Sequence, residues 1–393
     1  MGRRAGIAVS LLGLGAAWNG GNVGPVVAPL AEEFDVSLSD VGLLSGSVLC
    51  VGIAGAGFAG STLSERLSVI DGLRLCCLAC LVGNAAFAIS PVIAGLFAGR
   101  ILAGLGLGLA FLFGGVFARN TGGPKLVGVF GAGVTLGIAF ALGIGGLLED
   151  AGVDWRWAFG LSALVGVSAL PLLPRSSAAT APAHEPPGEV FREAAASPRF
   201  WRLEALAVAV LAIPFVLGAW MVHYLVVEGG ISTSTAGLIA FAMFGASALS
   251  RELGGQLVAR GAPHGVISLA GLALGAAGIA VLGLEPSVGG ALAATVLVGL
   301  GLPLPYAVIY DEGVRAVPES PVGGLGLIQA VANTFPIPVT PLLGAALASG
   351  DATAGWLALA GFVLLAALLN ARAAVPPEPS RDRLAETAGA HRR

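Results

Sequence analysis

Twelve long apolar runs dominate this chain. Each is about 17–24 residues long, the length of helix needed to cross roughly 30 Å of hydrocarbon. A chain inside a bilayer must satisfy its backbone hydrogen bonds internally, so each run is expected to be a helix. The sequence predicts an all-α integral membrane protein. The twelve transmembrane helices are predicted near residues 7–29, 41–60, 73–91, 94–117, 126–148, 157–173, 203–225, 236–257, 265–284, 289–309, 322–345 and 354–371.

The composition excludes an ordinary soluble domain. Only 11% of the residues are charged, whereas soluble domains carry about 25%. The 61 glycines are consistent with helices that approach each other closely in lipid, where apolar burial gives no driving force for association. We therefore expect the lipid bilayer as a partner, and neither nucleic acid nor a higher oligomer.

The positive charges indicate the orientation. With the N-terminus inside, 17 of the 20 Lys and Arg residues lie in inner loops and tails. Positive loops stay in the cytoplasm, so we predict a multi-pass protein of the plasma (inner) membrane with both termini cytoplasmic. Met1-Gly-Arg-Arg and the following apolar run could instead be a cleaved signal peptide. Its removal would leave eleven spans, and we interpret it as the first helix.

A segment rich in proline and small polar residues divides the chain into two halves. The predicted units are a six-helix bundle at 1–173, a cytoplasmic linker at 174–200, a second six-helix bundle at 201–373 and a cytoplasmic tail at 374–393. The halves resemble each other at an offset of 195 residues: Ser37 and Gly42 match Ser232 and Gly237. Parallel six-helix repeats are typical of transporters that rock one half against the other.

Several short motifs resemble those of the major facilitator superfamily. The loop after the second helix contains Leu63-Ser-Glu65-Arg66, the fourth helix contains Arg100-x-x-x-Gly104-x-Gly106-x-Gly108, and the sixth begins with Trp155-Arg-Trp-x-Phe159. The resemblance covers nearly the whole chain. It implies two pseudo-symmetric six-helix bundles with alternating access, and a coupling or gating role for Glu65 and Arg66.

Polar residues are distributed unevenly among the helices. Helices 3, 6, 9 and 12 have almost none, with Asn84 as the main exception. Because unpaired polar groups are costly in lipid, these four helices should face hydrocarbon and the others a cavity. The cavity candidates share helical faces. They are Asn22 with Asn19, Gln329 with Asn333, Tyr306 with Tyr310, and Ser247 with Arg251.

Charged residues inside the spans are functional candidates by default. Arg251 lies well inside helix 8, although its side chain could also reach the cytoplasm by snorkelling. Arg100 has either a structural gating role or a substrate role. The acid Glu252 is read as the one well-embedded acid, and as a coupling or gating residue with His223. Trp220 and Tyr310 are interpreted as anchors at the membrane interface.

An excess of buried positive charge favours an anionic ligand, because the planar fork of arginine matches carboxylates and oxyanions. Arg251-x-x-Gly254-Gly255-x-Leu257-x-x-Arg260 resembles the eighth-helix signature of nitrate/nitrite porters, and monocarboxylate transporters place an arginine there too. In this signature Glu252 replaces a proline and Ala259 an acid, and the second substrate arginine of the nitrate family corresponds to Gly57. A cyanate-permease-like or monocarboxylate-like carrier matches as well.

The predicted function is secondary active transport of a small anion, with protons or a counter-anion as the coupled species. Export of a neutral or cationic drug-like compound is the alternative, and a non-transporting membrane sensor is a more distant one. The sequence has no His-Glu-x-x-His, Gly-x-Ser-x-Gly or phosphate-loop motif. We therefore expect no enzyme activity, no catalytic residues, no cofactor and no metal.

Overall fold

The computed structural model describes residues 2–59, 63, 66–174, 195–316 and 321–371. These residues form twelve helical segments in succession and no strand. The linker and tail predicted at 174–200 and 374–393 lie largely or entirely outside the described residues. The helices are α1 Gly2–Ala17 with its continuation Val27–Phe34, α2 Leu38–Phe58, α3 Val69–Ile89, α4 Ile93–Gly122, α5 Leu126–Asp150, α6 Trp155–Val167, α7 Pro198–Val227, α8 Thr233–Ala259, α9 His264–Leu284, α10 Val288–Gly301 with Tyr306–Ala316, α11 Pro321–Ala332 with Pro336–Ser349, and α12 Ala352–Asn370.

Ten of these helices are long and apolar enough to cross a membrane within the described residues. The other two, α1 and α6, occupy predicted spans but are shorter as continuous helices: α1 is interrupted, and α6 is followed by a 3-10 turn at Leu170–Leu172. In α1, tight turns at Trp18–Gly20 and Gly24–Val26 separate two helical parts, because Gly20, Gly21 and Gly24 weaken the helix and Pro25 removes a backbone donor. The all-helical fold predicted from the apolar runs is confirmed.

Polar side chains fix where the helices begin. Ser37 accepts a hydrogen bond from the backbone amide of Asp40 and forms a capping box at the start of α2. Ser232 occupies the equivalent position at the start of α8 and accepts from Thr235. Such caps satisfy amides that have no partner inside the helix, so the two matched serines end the loops at equivalent points of the two halves.

The internal repeat corresponds to repeated contacts. A Cβ atom at Gly106 of α4 would lie 3.0 Å from the carbonyl oxygen of Cys76 on α3, and one at Gly301 of α10 would lie 2.7 Å from that of Gly271 on α9. Both pairs are separated by the same 195-residue offset. Only glycine allows helices to approach this closely. The matched glycines therefore mark equivalent helix contacts in each half.

The two halves touch at the face opposite the chain termini, which we call the far face. Here α1 packs on α7 through Gly24 and Gly218, and a Cβ at Gly146 of α5 would lie 2.6 Å from the carbonyl oxygen of Thr233 on α8. Trp220 of α7 is fully buried and donates a 2.9 Å hydrogen bond to the carbonyl of Thr340 on α11. Its interpretation as an interfacial anchor was wrong, because its indole ties α7 to α11.

Large apolar side chains are exposed on α3, α6, α9 and α12, but also on other helices, such as Leu249 of α8 and Leu292 of α10. The expectation that only those four helices face hydrocarbon is therefore not confirmed by exposure. Asn84 of α3 is buried and bonds to Asn19 and Asn22 of α1, so its polar group points into the bundle. The exposed side chains on these four helices are Leu75, Leu78, Val82, Ile89, Trp157, Leu164, Val266, Leu269, Leu274, Leu284, Leu357, Leu364, Leu365, Leu368 and Leu369.

Candidate functional site

Arg100 lies at the centre of a closed polar cluster in the N-terminal half. Its side chain is 1% exposed and donates four hydrogen bonds: Nε to Leu44 O at 2.9 Å, Nη1 to Asn22 Oδ1 at 3.0 Å, and Nη2 to Asn19 O and Ser45 O at 2.9 and 2.7 Å. Its donors are therefore used by the backbone and side chains of α1 and α2. The guanidinium ties these two helices to α4.

Asn22 belongs to the same cluster, and both polar atoms of its side chain have hydrogen-bond partners. While its Oδ1 accepts from Arg100, its Nδ2 lies 3.2 Å from both Asn84 Oδ1 and Ser162 Oγ. The side chain is 2% exposed. Arg100 and Asn22, predicted as substrate ligands, are thus brought together, and each already has protein partners.

The C-terminal half has no arginine at the position equivalent to Arg100. The residue there, 195 positions later, is Thr295. Its hydroxyl donates at 2.9 Å to the carbonyl of Ala291 on its own helix and lies 3.4 Å from the carbonyl oxygen of Ile239, which is itself 195 residues after Leu44. The same carbonyl position is therefore approached in both halves, closely by a cation in one and at longer distance by a hydroxyl in the other.

Arg251 of α8 has incomplete pairing. It lies eight residues before the end of α8 at Ala259, about 12 Å along the helix. Nη1 makes one long bond, 3.4 Å, to the carbonyl of Gly131 on α5. Nε is buried and has no hydrogen-bond partner among the described residues. Arg251 thus reaches from the C-terminal half to the N-terminal half with most of its donors unused in the described part of the chain.

Two tyrosines of α10 hold this arginine. The guanidinium carbon lies 4.2 Å from the ring centroid of Tyr306. A cation over an aromatic face is stabilised by up to about 2 kcal/mol when both are removed from water. The hydroxyls of Tyr306 and Tyr310 are 2.9 Å apart, so Tyr310, interpreted from sequence as an interfacial anchor, instead fixes the position of Tyr306.

Glycines determine the shape of this site. A Cβ at Gly254 of α8 would collide with the carbonyl oxygen of Leu304, where α10 is interrupted. The close approach of α8 to α10 therefore requires glycine and brings Arg251 against Tyr306. On α5, a Cβ at Gly131 would lie 3.7 Å from Tyr306 Oη, which is ordinary contact distance. The glycine leaves space beside the arginine and the tyrosine.

The other predicted ligands of the C-terminal half lie on α8 and α11. Ser247 is buried and donates to the carbonyl of Met243 on its own helix at 2.9 Å. Asn333 is fully buried at the interruption of α11, where its Nδ2 donates to the carbonyl of Gln329 at 2.7 Å. Its Oδ1 has no partner within the described set. Gln329 is half-buried.

The predicted coupling and gating residues do not form one cluster. Glu252 is exposed and accepts a 3.3 Å hydrogen bond from Gln256. His223 is half-buried near the far face, with its ring centroid 6.0 Å from that of Trp220. Arg66 is exposed, and Glu65 lies outside the described residues.

The interpretation of Glu252 as the one well-embedded acid was wrong. The acids buried in the described spans are Glu204 of α7, 3% exposed, and Glu312 of α10, 4% exposed. Both were overlooked because they lie close to the ends of their apolar runs, where sequence alone does not distinguish a buried carboxylate from a solvated one. Glu312 contacts Arg199 Nη2 at 2.7 Å and His264 Nδ1 at 3.0 Å.

Known proteins with a similar sequence or structure share this all-helical fold. Residues 9–336 match the family model described as Major Facilitator Superfamily. No curated protein in the comparison matches the sequence.

Among solved structures, a bacterial homolog of the human lysosomal transporter Spinster in an inward-facing, unoccupied conformation has a TM-score of 0.72 at 19% identity, covering 96% of this chain and 100% of that one. The D-xylose-proton symporter has a TM-score of 0.74 at 16% identity, covering 95% and 98%. The human organic anion transporter MFSD10 (TETRAN) has a TM-score of 0.65 at 17% identity, covering 94% and 99%. These likenesses are of fold, whereas the sequence match spans most of the chain: the protein belongs to the Major Facilitator Superfamily of membrane transporters.

Proposed function

We propose that this transporter moves a small anion, such as an inorganic oxyanion, cyanate or a monocarboxylate, by alternating access. The observation that carries the proposal is the incomplete pairing of Arg251. Its guanidinium has a tyrosine ring on one face, one long bond to Gly131 O, and a buried Nε without a partner among the described residues. A half-buried cation of this kind attracts an anion and would repel a cationic drug.

The position of Arg251 supports a role in alternating access. Gly131 belongs to α5 and Tyr306 to α10, so the arginine lies where the two halves meet. If the halves rock apart, the weak 3.4 Å bond to Gly131 O is lost while the contact with Tyr306 within the C-terminal half remains. An anion bridging Arg251 and polar groups of the N-terminal half would favour the closed arrangement.

The remaining predicted ligands complete the proposal. Asn333 is assigned to the anion through the second N–H of its Nδ2, the first being donated to the carbonyl of Gln329, because only a donor can bind an anion. Ser247 and Gln329 are assigned as further polar contacts. Arg100 and Asn22 would maintain the N-terminal half rather than bind the anion directly. We assign the face that bears the termini to the cytoplasm of the plasma (inner) membrane, as the positive charges of the loops predict. The carrier is proposed to act as a monomer, without catalytic activity.

Uptake into proteoliposomes tests the function. Purified protein is reconstituted and supplied with isotopically labelled nitrate, cyanate, lactate and a dicarboxylate. We expect at least one anion to accumulate and to raise the melting temperature of the protein, because a ligand that binds only the folded state stabilises it.

Arg251→Ala should abolish both the uptake and the thermal shift, and Arg251→Lys should reduce them, because lysine lacks the planar fork. Arg119→Ala, at an exposed arginine of α4, is the matched control and should behave like the wild type. Full anion transport by Arg251→Ala would exclude the role given to this residue, and uptake of none of the anions would exclude the function.

A further inference from the structure

Glu204 is a buried acid that the proposed anion site does not use. It lies in the first part of α7 and is 3% exposed. Neither Oε1 nor Oε2 has a hydrogen-bond partner among the described residues. Glu312 provides a contrast, since it is equally buried but is paired with Arg199 and His264. Of these two buried acids, only Glu204 lacks a described partner.

The surroundings of Glu204 contain few charges. On α7 itself, Arg199 is bonded to Glu312, and Arg202 is two residues away, a spacing at which helical side chains do not face each other. The other elements packed on this segment are α10, α11 and α12. Titratable or charged residues on the inner part of α10 are Tyr306, Tyr310, Asp311, Glu312 and Arg315, the last with a side chain outside the described set.

The two other neighbouring helices add no charge. The segment Pro321–Ala332 of α11 and the whole of α12 contain no Asp, Glu, Lys, Arg or His. His264 of α9 reaches this region only through its contacts with Asp311 and Glu312. An ionised Glu204 would therefore be a buried charge without a neutralising partner among the described side chains, a costly arrangement that a bound proton removes.

The backbone next to Glu204 is irregular, and its helix is linked to the arginine site. A π-helical turn follows at Val208–Ala212, a distortion that is frequent at functional sites. The α7 segment Pro198–Ala207 packs on the Tyr306–Ala316 segment of α10. Tyr306 of that same segment holds Arg251. One helical segment therefore contacts both the arginine and the helix that carries the acid.

We propose that Glu204 binds the proton that is transported together with the anion, an inference that rests on the proposed anion transport. The net charge of Arg251, Glu204 and their two ligands explains why anion transport is coupled to proton transport. In an empty carrier whose Glu204 has released its proton to water, Arg251 is positive and Glu204 negative, so the net charge of the two is zero. With the anion on Arg251 and a proton on a Glu204 carboxylate oxygen, the sum is again zero. With only one of the two bound, the interior carries a net charge, and moving it through the membrane is costly.

The order of events follows from this balance. The proton and the anion enter from one side, the halves rock, and Glu204 returns its proton to water on the other side as the anion leaves. No covalent bond other than that of the carboxyl proton forms or breaks. With only the anion or only the proton bound, the site stays open to its original side of the membrane, so transport of the anion requires a proton.

Infrared difference spectroscopy tests the proton site without an anion, with protons as the only probe. The spectrum of the reconstituted wild type should contain the C=O band of a protonated carboxylic acid that disappears on alkaline titration. Glu204→Gln should lack this band, whereas Glu32→Gln, at an exposed acid of α1, should retain it. Wild-type spectra identical to those of Glu204→Gln at every pH would overturn the proposal. The wild-type titration remains informative even if the variant does not fold.

Transport measurements test the coupling. With labelled nitrate and cyanate as probes, Glu204→Gln should exchange internal for external anion at near wild-type rates, because glutamine imitates the neutral acid. The anion accumulation that a pH gradient drives should be at least tenfold lower in this variant than in the wild type. Wild-type accumulation in the variant would refute the assignment. If the wild type transports none of nitrate, cyanate, lactate and the dicarboxylate, the function proposed for Arg251 fails, and the proton site is then decided by the infrared result alone.

Discussion

The guanidinium carbon of Arg251 lies 4.2 Å from the ring centroid of Tyr306. The ring covers one face of the cation and leaves its edge, where the five N–H donors point, available to a ligand. Arg100 is in the opposite situation, since four hydrogen bonds to α1 and α2 surround it. The half-buried Arg251 and the fully buried Arg100 therefore have different expected roles, one in binding and one in stability.

Replacement of Tyr306 tests the contribution of the ring. Tyr306→Leu removes the aromatic face, which contributes up to about 2 kcal/mol when desolvated. We expect the dissociation constant of the transported anion to rise roughly 10- to 30-fold, measured by titration calorimetry. Tyr306→Phe keeps the face and loses only the bond to Tyr310, so its affinity should stay within a few-fold of wild type. Equal losses in both variants would contradict the stacking role.

The two arginines should respond oppositely to substitution by lysine. Arg100→Lys cannot maintain four fixed hydrogen bonds with three donors on a flexible stem. Because hydrogen bonds to charged groups contribute about 1.5–3 kcal/mol each, unfolding should become easier by at least about 2 kcal/mol. Thermal melting in detergent measures this loss, and the anion affinity of the folded fraction should be unchanged.

Arg251→Lys should give the reverse pattern. It breaks only one long bond among the described residues, so the melting temperature of the anion-free protein should change little while anion affinity falls at least tenfold. A large loss of stability in Arg251→Lys, with normal affinity, would mean that Arg251 is a structural residue like Arg100.

Most of the fold could be predicted because hydrophobic length and repeat spacing are properties of the sequence itself. The 195-residue offset that relates Gly42 to Gly237 also relates Gly106 to Gly301, and these last two glycines make equivalent helix contacts with Cys76 and Gly271. The interruption of α1 likewise follows from its local sequence, through its glycines and Pro25. Such features depend on local backbone chemistry and on spacing, which one sequence contains.

The composition of the site could be predicted only in part, because pairing depends on which helices meet. Arg100 and Arg251 look alike in sequence, each a lone arginine in an apolar run. Only the three-dimensional arrangement separates the one whose donors are filled from the one beside Gly131 and Tyr306. Glu204 was missed for the same reason, since its burial depends on α10, α11 and α12.

Adjacent glycines of α8 provide a matched test of helix packing. A Cβ at Gly254 would collide with the carbonyl oxygen of Leu304, whereas one at Gly255 would have no atom within 4 Å. Gly254→Ala should therefore destabilise the protein by about 1–3 kcal/mol, the usual cost of overpacking, and should move Arg251 away from Tyr306. Gly255→Ala should be neutral or stabilising by up to about 1 kcal/mol. Melting curves of the two variants measure the difference, and similar curves would show that α8 and α10 can separate freely.

The acid stability of the far face should depend on Glu33. Arg156 donates hydrogen bonds to both carboxylate oxygens of Glu33, and Trp155 Nε1 donates another at 2.7 Å. The bond from Arg156 holds the pKa of Glu33 below its ordinary value. A carboxylate whose pKa is lower in the folded state stabilises the fold above its unfolded pKa, about 4.3, and this contribution is lost as the pH falls through the folded pKa.

The effect should be small, because both side chains are about one-third exposed, at 39% for Glu33 and 33% for Arg156. Water screens such a pair, and less than about 1 kcal/mol is expected. Melting temperatures are measured across the acidic range for the wild type, Glu33→Gln and the exposed neighbour Glu32→Gln. The wild type and Glu32→Gln should lose stability more steeply below about pH 4.3 than Glu33→Gln, since only they retain the carboxylate that Arg156 binds. Parallel curves for all three proteins would mean that this ion pair contributes nothing to the joining of α1 and α6.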